Sequence, residues 1–294
     1  MDGARPEVRR PVTGGRRVFS RILVGVDGSE RAAEAARQAG RLAAATGAAL
    51  DLAFVVDTHR AHDEDVEAEA EAALDRAGAG PREAGVQASP RILAGDPAEV
   101  LVAEARDHGI DLLVVGPDTG LLHGALRFGR TAAHVVGQAP CSVLVARAAP
   151  DGFPTRIACG VDGSDASVAT ATLAGSIAAV TGAELHLIHV IPVFRGRDAE
   201  WTLGPDEPSP PELEASALAL AALGVTPVRD VAMGRPEHAL VAAAERDGFD
   251  LLVVGHRGLR GVTRVLLGSV SRHVTEHARC SVIVARSAPA SAGR

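Results

Sequence analysis

The chain repeats itself, and an internal repeat limits the folds open to a sequence more than any local signal does. Arg21-Ile-Leu-Val-Gly-Val-Asp-Gly-Ser29 returns as Arg156-Ile-Ala-Cys-Gly-Val-Asp-Gly-Ser164, at an offset of 135 residues. Gly109-Ile-Asp-Leu-Leu-Val-Val-Gly116 returns as Gly248-Phe-Asp-Leu-Leu-Val-Val-Gly255, and Cys141-Ser-Val-Leu-Val-Ala-Arg147 as Cys280-Ser-Val-Ile-Val-Ala-Arg286, both at 139. The landmarks keep their order, and the added residues fall in the middle of the second copy. The 294 residues therefore hold two copies of one unit of about 130 residues. The expected division is an Arg-rich disordered tail over 1–17, a domain over 18–148, a Pro-Gly linker over 149–154, a second domain over 155–287 and a tail over 288–294.

Within each copy the apolar pattern alternates in kind. Continuous runs such as ILVGV, LDLAFVV, LLVVG and SVLVA predict strands buried on both faces. Ala-rich stretches with helical spacing lie between them, over 30–45 and 97–108, and Asp27-Gly-Ser-Glu30 supplies capping chemistry after the first strand. Strands alternating with helices mean a parallel sheet with right-handed crossovers, so the fold class is α/β with two tandem doubly wound domains. The middles, near 59–90 and 195–228, are less regular, and each is expected to hold one helix and a short strand. Pro205, Pro208, Pro210 and Pro211 make the second begin as an irregular loop. Each copy ends in an apolar strand, 142–146 and 281–285. An open edge of that composition invites pairing across a pseudo-twofold, within the chain or between two chains.

Composition removes several functions. The net charge of −7 argues against a nucleic-acid partner, which needs a basic face. No lysine occurs, so a Walker A loop and Schiff-base chemistry are both excluded. The 3 cysteines form no C-x-x-C pair, and Cys141, Cys159 and Cys280 read as small hydrophobes of a reducing, cytoplasmic protein. No apolar run approaches the ~20 residues that span a membrane.

In a doubly wound sheet, ligands bind beyond the carboxyl ends of the strands, where the strand order reverses. In the second copy, Gly255-His-Arg-Gly258 follows the fourth strand, then nine residues, then Gly268-Ser269, which open a helix expected over 269–277. Glycines let backbone N–H groups approach an anion, and the positive end of a helix favours phosphate. The Ser269 and Ser271 hydroxyls are candidates for further hydrogen bonds to it. With these residues the chain resembles the universal stress protein family in its tandem form. The nucleotide-binding branch of that family carries Gly-x2-Gly-x9-Gly-Ser/Thr, matched here at Gly255, Gly258, Gly268 and Ser269. The resemblance implies a five-stranded parallel sheet in each domain, in the order 3-2-1-4-5 and like that of adenine nucleotide alpha hydrolases, and it implies ATP as the ligand. It places Gly160, Val161, Asp162, Val190, Gly234, Val254, Gly255, Arg257, Gly258, Gly268, Ser269, Val270 and Ser271 around that nucleotide. Asp162 is the residue that would hold Mg²⁺ if the ion accompanies ATP.

The first copy departs from the pattern. It reads Gly116-Pro-Asp-Thr119, nine residues, then Gly129-Arg130. A side chain forced into left-handed φ at Thr119 costs roughly 1–2 kcal/mol, and a lost hydroxyl bond about 1.5–3 more. Together these weaken a site on the order of a hundred- to a thousandfold. Gly120 could take over the glycine's role, and Arg130 or Thr131 could meet phosphate directly. Asp27, Val55, Gly95, Gly116, Gly129 and Thr131 are the counterpart positions, and one nucleotide per chain is the expectation.

Blander readings stand beside these. Asp27 and Asp162 could be helix caps alone. His273 and His277, four apart on one helix, read as surface or packing residues, as does the matched His134. The acidic run over 63–71 reads as a solvated helix face, and Trp201 either covers a pocket or fills a gap. Phosphoryl transfer needs a metal-holding acid and a positioned nucleophile, and no such constellation emerges. The expected function is an ATP-binding stress regulator with at most slow hydrolysis. A protein-interaction module with vestigial sites and a true ATPase remain as alternatives.

Overall fold

The computed structural model describes residues 18–57, 65–117, 129–192, 209–256 and 267–286, with the backbone alone of 121–122, 125–126 and 199–202. The first domain runs β1 (Arg21–Val26), α1 (Glu30–Thr46), β2 (Ala49–Val56), α2 (Val66–Glu83), β3 (Ser89–Ala94), α3 (Pro97–Asp107), β4 (Leu112–Val115), a short hairpin of β5 (Leu121–Leu122) and β6 (Ala125–Leu126), α4 (Arg130–Gln138) and β7 (Ser142–Val145). The second runs β8 (Arg156–Val161), α5 (Asp165–Thr181), β9 (Glu184–Pro192), β10 (Ala199–Thr202), α6 (Pro211–Ala221), β11 (Val228–Gly234), α7 (Pro236–Arg246), β12 (Leu251–Gly255), α8 (Ser269–His277) and β13 (Ser281–Ala285).

The strands form one 11-stranded sheet in the order β10-β11-β9-β8-β12-β13-β7-β4-β1-β2-β3. Each domain contributes five parallel strands in the expected 3-2-1-4-5 order. The two last strands pair antiparallel, with Val282 opposite Val145, Ile283 opposite Leu144 and Val284 opposite Val143. The pseudo-twofold expected from the matched apolar edges is therefore formed within the chain, which consumes the edges that a homodimer through these strands would need. The segment before the prolines of the second middle differs from the loop expected there. Its residues 199–202 form β10, which runs antiparallel to β11 and covers the outer edge of the sheet. Four residues are too few for period-2 alternation to show in a sequence.

Side chains alternate across the strands and feed two cores. Ile22, Val24 and Val26 of β1 join the core beneath the layer of α1, α2, α5 and α6, with α1 and α2 directly over β1, while Leu23 joins the core beneath α3, α4, α7 and α8. Each core runs through both domains, so the helix layers as well as the sheet are shared. The linker takes part, because Phe153 is buried at 2% exposure. The three thiols behave as interior hydrophobes. Burial pushes Cys141 and Cys159 up to about 12 and Cys280 up to about 11, so all three stay protonated at neutral pH. Among the described residues no helix is long and apolar enough to cross a membrane. The expected tail over 1–17 and the side chain of Trp201 lie outside the described residues.

Candidate functional site

The carboxyl ends of the parallel strands lie on one edge of the sheet, and register brings the predicted residues of the second domain together there. Val161, the last residue of β8, sits opposite His189, and Val190 sits opposite Ala232, two residues short of Gly234. Gly255 ends β12 opposite Ala285. The side chains of Val161, Val190 and Val254 are buried, so these residues reach the edge through their backbone. Gly160 has a packing reason: a Cβ there would stand 2.9 Å from Cδ1 of Leu240 on α7. Its counterpart Gly25 meets Leu101 of α3 at 2.8 Å in the same way. Gly234 ends β11 and Gly95 directly follows β3, with φ of 134° and 141°, values that side-chain-bearing residues rarely adopt.

Asp162 begins a relay. Its Oδ1 accepts from the Ser164 N–H at 3.1 Å and from the Ser164 hydroxyl at 2.6 Å, and Ser164 Oγ accepts from Ser167 N–H at 3.1 Å. Asp27, Ser29 and Ala32 repeat it at 3.0, 2.6 and 3.1 Å. The cap residues of α5 and α1 are therefore the serines, and each aspartate orients its serine through one carboxylate oxygen. The aspartate reading as caps alone is corrected in that detail.

The phosphate-loop candidate of the second domain is stitched at both ends. Gly268 N–H donates to the His256 carbonyl at 2.9 Å, and Ser271 Oγ donates to the Gly255 carbonyl at 2.5 Å. Arg257 and Gly258 lie between these stitches, outside the described residues. The Ser271 hydroxyl is thus committed to Gly255, and its contribution is the position of the loop. Gly268 is the N-cap of α8 with φ −60° and ψ 150°, and among the described residues no side chain caps this helix. Ser269 is exposed at the first turn and Val270 is half-buried. Among the described residues no side chain accepts from the N–H groups of that turn, which lies at the carboxyl edge of the sheet.

The first domain presents a cleft of about 240 Å³ at the equivalent edge. Asp27, Val55, Gly116 and Thr131 line it, whereas Gly95, directly after β3, and Gly129, the N-cap of α4, are not among its lining residues. Asp57 and Glu69 also line the cleft. Sequence reasoning missed both. Asp57 could have been found by counting on from Val55 to the end of the strand, but Glu69 comes from α2, whose placement no motif announces. Ala132 stands where the second domain has Ser271, so the loop-to-helix stitch is absent here. Thr119 lies outside the described residues. This cleft is the better-defined one, although the intact motif is in the second domain.

The histidines of α7 and α8 form a surface stack. His273 and His277 have ring centroids 4.0 Å apart, and His238 lies 4.8 Å from His273. Burial, followed by the charges of His277 and His238, holds the His273 pKa below its ordinary value. Among the described residues no three His, Cys, Asp or Glu side chains are arranged to hold a metal ion. His134 is exposed rather than packed against the other domain.

The profile of the universal stress protein family matches residues 19–147 and again residues 154–286. The chain belongs to the universal stress protein family. It is similar to a universal stress protein of Methanocaldococcus jannaschii, 34% identical over 138 residues that cover 45% of this chain and 81% of that one. A universal stress protein of Thermus aquaticus is 34% identical over 131 residues, covering 42% of this chain and 93% of its own. Each of these relatives thus corresponds to one half of the tandem. The crystal structure of a universal stress protein from Archaeoglobus fulgidus covers 90% of this chain and 98% of its own, with a TM-score of 0.72 and 20% identity, a likeness of fold.

Proposed function

We propose that this tandem universal stress protein binds adenine nucleotide, namely ATP, chiefly in its second domain, and acts as a nucleotide-dependent regulator in the stress response of a cytoplasmic compartment. The observation that carries the reading is the start of α8, uncapped by any side chain among the described residues and tied to the end of β12 by the Gly268–His256 and Ser271–Gly255 bonds, on the same carboxyl edge of the sheet as Asp162 and the positive-φ Gly234. Backbone N–H groups and the positive end of the helix suit a phosphate chain. The nucleoside would lie along the ends of β8, β9 and β11, near Val161, Val190 and Gly234. Any Mg²⁺ would arrive on the phosphates, with Asp162 as the neighbouring carboxylate. In this reading the protein works by holding nucleotide, with at most slow hydrolysis. The first domain keeps the cleft and lacks both Ser269 and Ser271 equivalents, which supports a weaker site or an interaction surface there.

Isothermal titration with ATP should give close to one nucleotide per chain. Gly268→Asp is the decisive variant. Aspartate is a preferred N-cap and suits the extended φ and ψ of this residue, so the fold should be kept. Its carboxylate would occupy the N–H groups and repel phosphate, lowering affinity by about tenfold or more. Equal binding by both proteins would sink the proposal.

A further inference from the structure

Both domains end their last strand in an arginine, and each arginine leaves its own domain. Arg147 follows β7 and is buried, 5% exposed. Its Nη2 donates to the Thr275 carbonyl at 2.5 Å in the last turn of α8, and its Nη1 to the Cys280 carbonyl at 3.3 Å just before β13, both in the second domain. Arg286 follows β13, and its Nη2 donates to the Gly137 carbonyl at 2.7 Å and the Val136 carbonyl at 3.3 Å, at the carboxyl end of α4 in the first. The backbone makes the same exchange. Arg147 N–H donates to Ser281 Oγ at 2.9 Å and Arg286 N–H to Ser142 Oγ at 3.1 Å. The grip is reciprocal across the pseudo-twofold.

The helices so held are the two that open on the phosphate-loop candidates. Arg147 meets carbonyl oxygens at the negative end of a helix, where a cation is favoured. α8 has 9 residues, so at ~1.5 Å per residue it behaves as one short rod. Ser271 ties its first turn to Gly255, and Arg147 ties its last turn to the other domain. The direction of its first-turn N–H groups therefore depends on both attachments. We propose that Arg147 is a positioning residue for the nucleotide site of the second domain, and Arg286 for that of the first, so that each phosphate-binding helix is aimed by the opposite domain. This rests on the nucleotide reading above.

The test uses the full chain and compares Arg147→Met with Arg286→Met, which remove matched interdomain contacts. Both should lower the melting temperature. ATP affinity at the second-domain site should fall about tenfold in Arg147→Met and change by no more than about twofold in Arg286→Met. Equal losses in the two variants, or no loss in Arg147→Met, would overturn the proposal. Hydrogen exchange at the helix-bonded amides from Arg272 to Thr275 gives a readout that needs no ligand, and exchange should quicken in Arg147→Met and stay near wild type in Arg286→Met. Absence of ATP binding in the wild type would remove the nucleotide reading, while the exchange pattern would still decide whether Arg147 positions the helix. Should Arg147→Met fail to fold, Arg147→Lys against Arg286→Lys makes the same comparison, since lysine keeps the charge and loses the two-pronged grip.

Discussion

His186 is the residue whose environment most clearly converts into a measurable property. It sits at the amino end of β9, with Nδ1 2.6 Å from Asp230 Oδ2 and Nε2 3.2 Å from Glu184 Oε1. Burial pulls its pKa down, but the hydrogen bond and charge of Asp230, joined by Glu184, more than offset this and leave it raised. A histidine raised on folding stabilises the protein fully below its unfolded value of about 6.5, and that contribution is lost as pH rises through the folded value. Urea midpoints should therefore fall as pH increases above about 6.5 in the wild type and stay flatter in His186→Gln. Parallel curves for the two proteins would refute this. The cluster lies at the strand ends opposite the candidate site, so nucleotide affinity should not follow the same pH profile.

At the scale of elements, α4 and α8 are matched nine-residue helices with matched glycine caps and different attachments. Ser271 fastens α8 to the end of β12, and Ala132 leaves α4 without that bond. Ser271→Ala should cost about 1 kcal/mol of stability, the ordinary worth of a hydrogen bond, and weaken ATP binding by loosening the loop. Denaturation and titration together check it. A loss of stability with unchanged affinity would show that the stitch does not serve the site. The bounds of α8 were legible in the sequence because glycine before serine marks a helix start. The partner of the Ser271 hydroxyl was not legible, because it depends on how the helix returns to β12.

For the whole molecule, the decisive contact is the antiparallel meeting of β7 and β13. Because the two edges are nearly equivalent, a chain of residues 154–286 alone would expose β13, and β13 should pair with its own copy. Light scattering should report a dimer of this half and a substitution of Ile283 by Lys should return it to monomer. A monomeric half at micromolar concentration would show that the pairing needs both sequences. The shared helix layers support the expectation, since each hydrophobic core already runs through both domains.

The duplicated landmarks determined the class and the two-domain plan, since buried runs, glycines and caps act over a few neighbouring residues, and the 3-2-1-4-5 order came with the family resemblance that those landmarks carry. Sequence also marked the asymmetry of the two loops, through Arg130 against Ser269. Only the tertiary structure decided that Asp162 works through Ser164, that Ser271 serves the Gly255 carbonyl, that β10 covers one edge, and that Arg147 and Arg286 cross to the opposite domain. The reason is physical. Those contacts join residues far apart in the chain, and a hydrogen bond between them exists only once packing has set their separation.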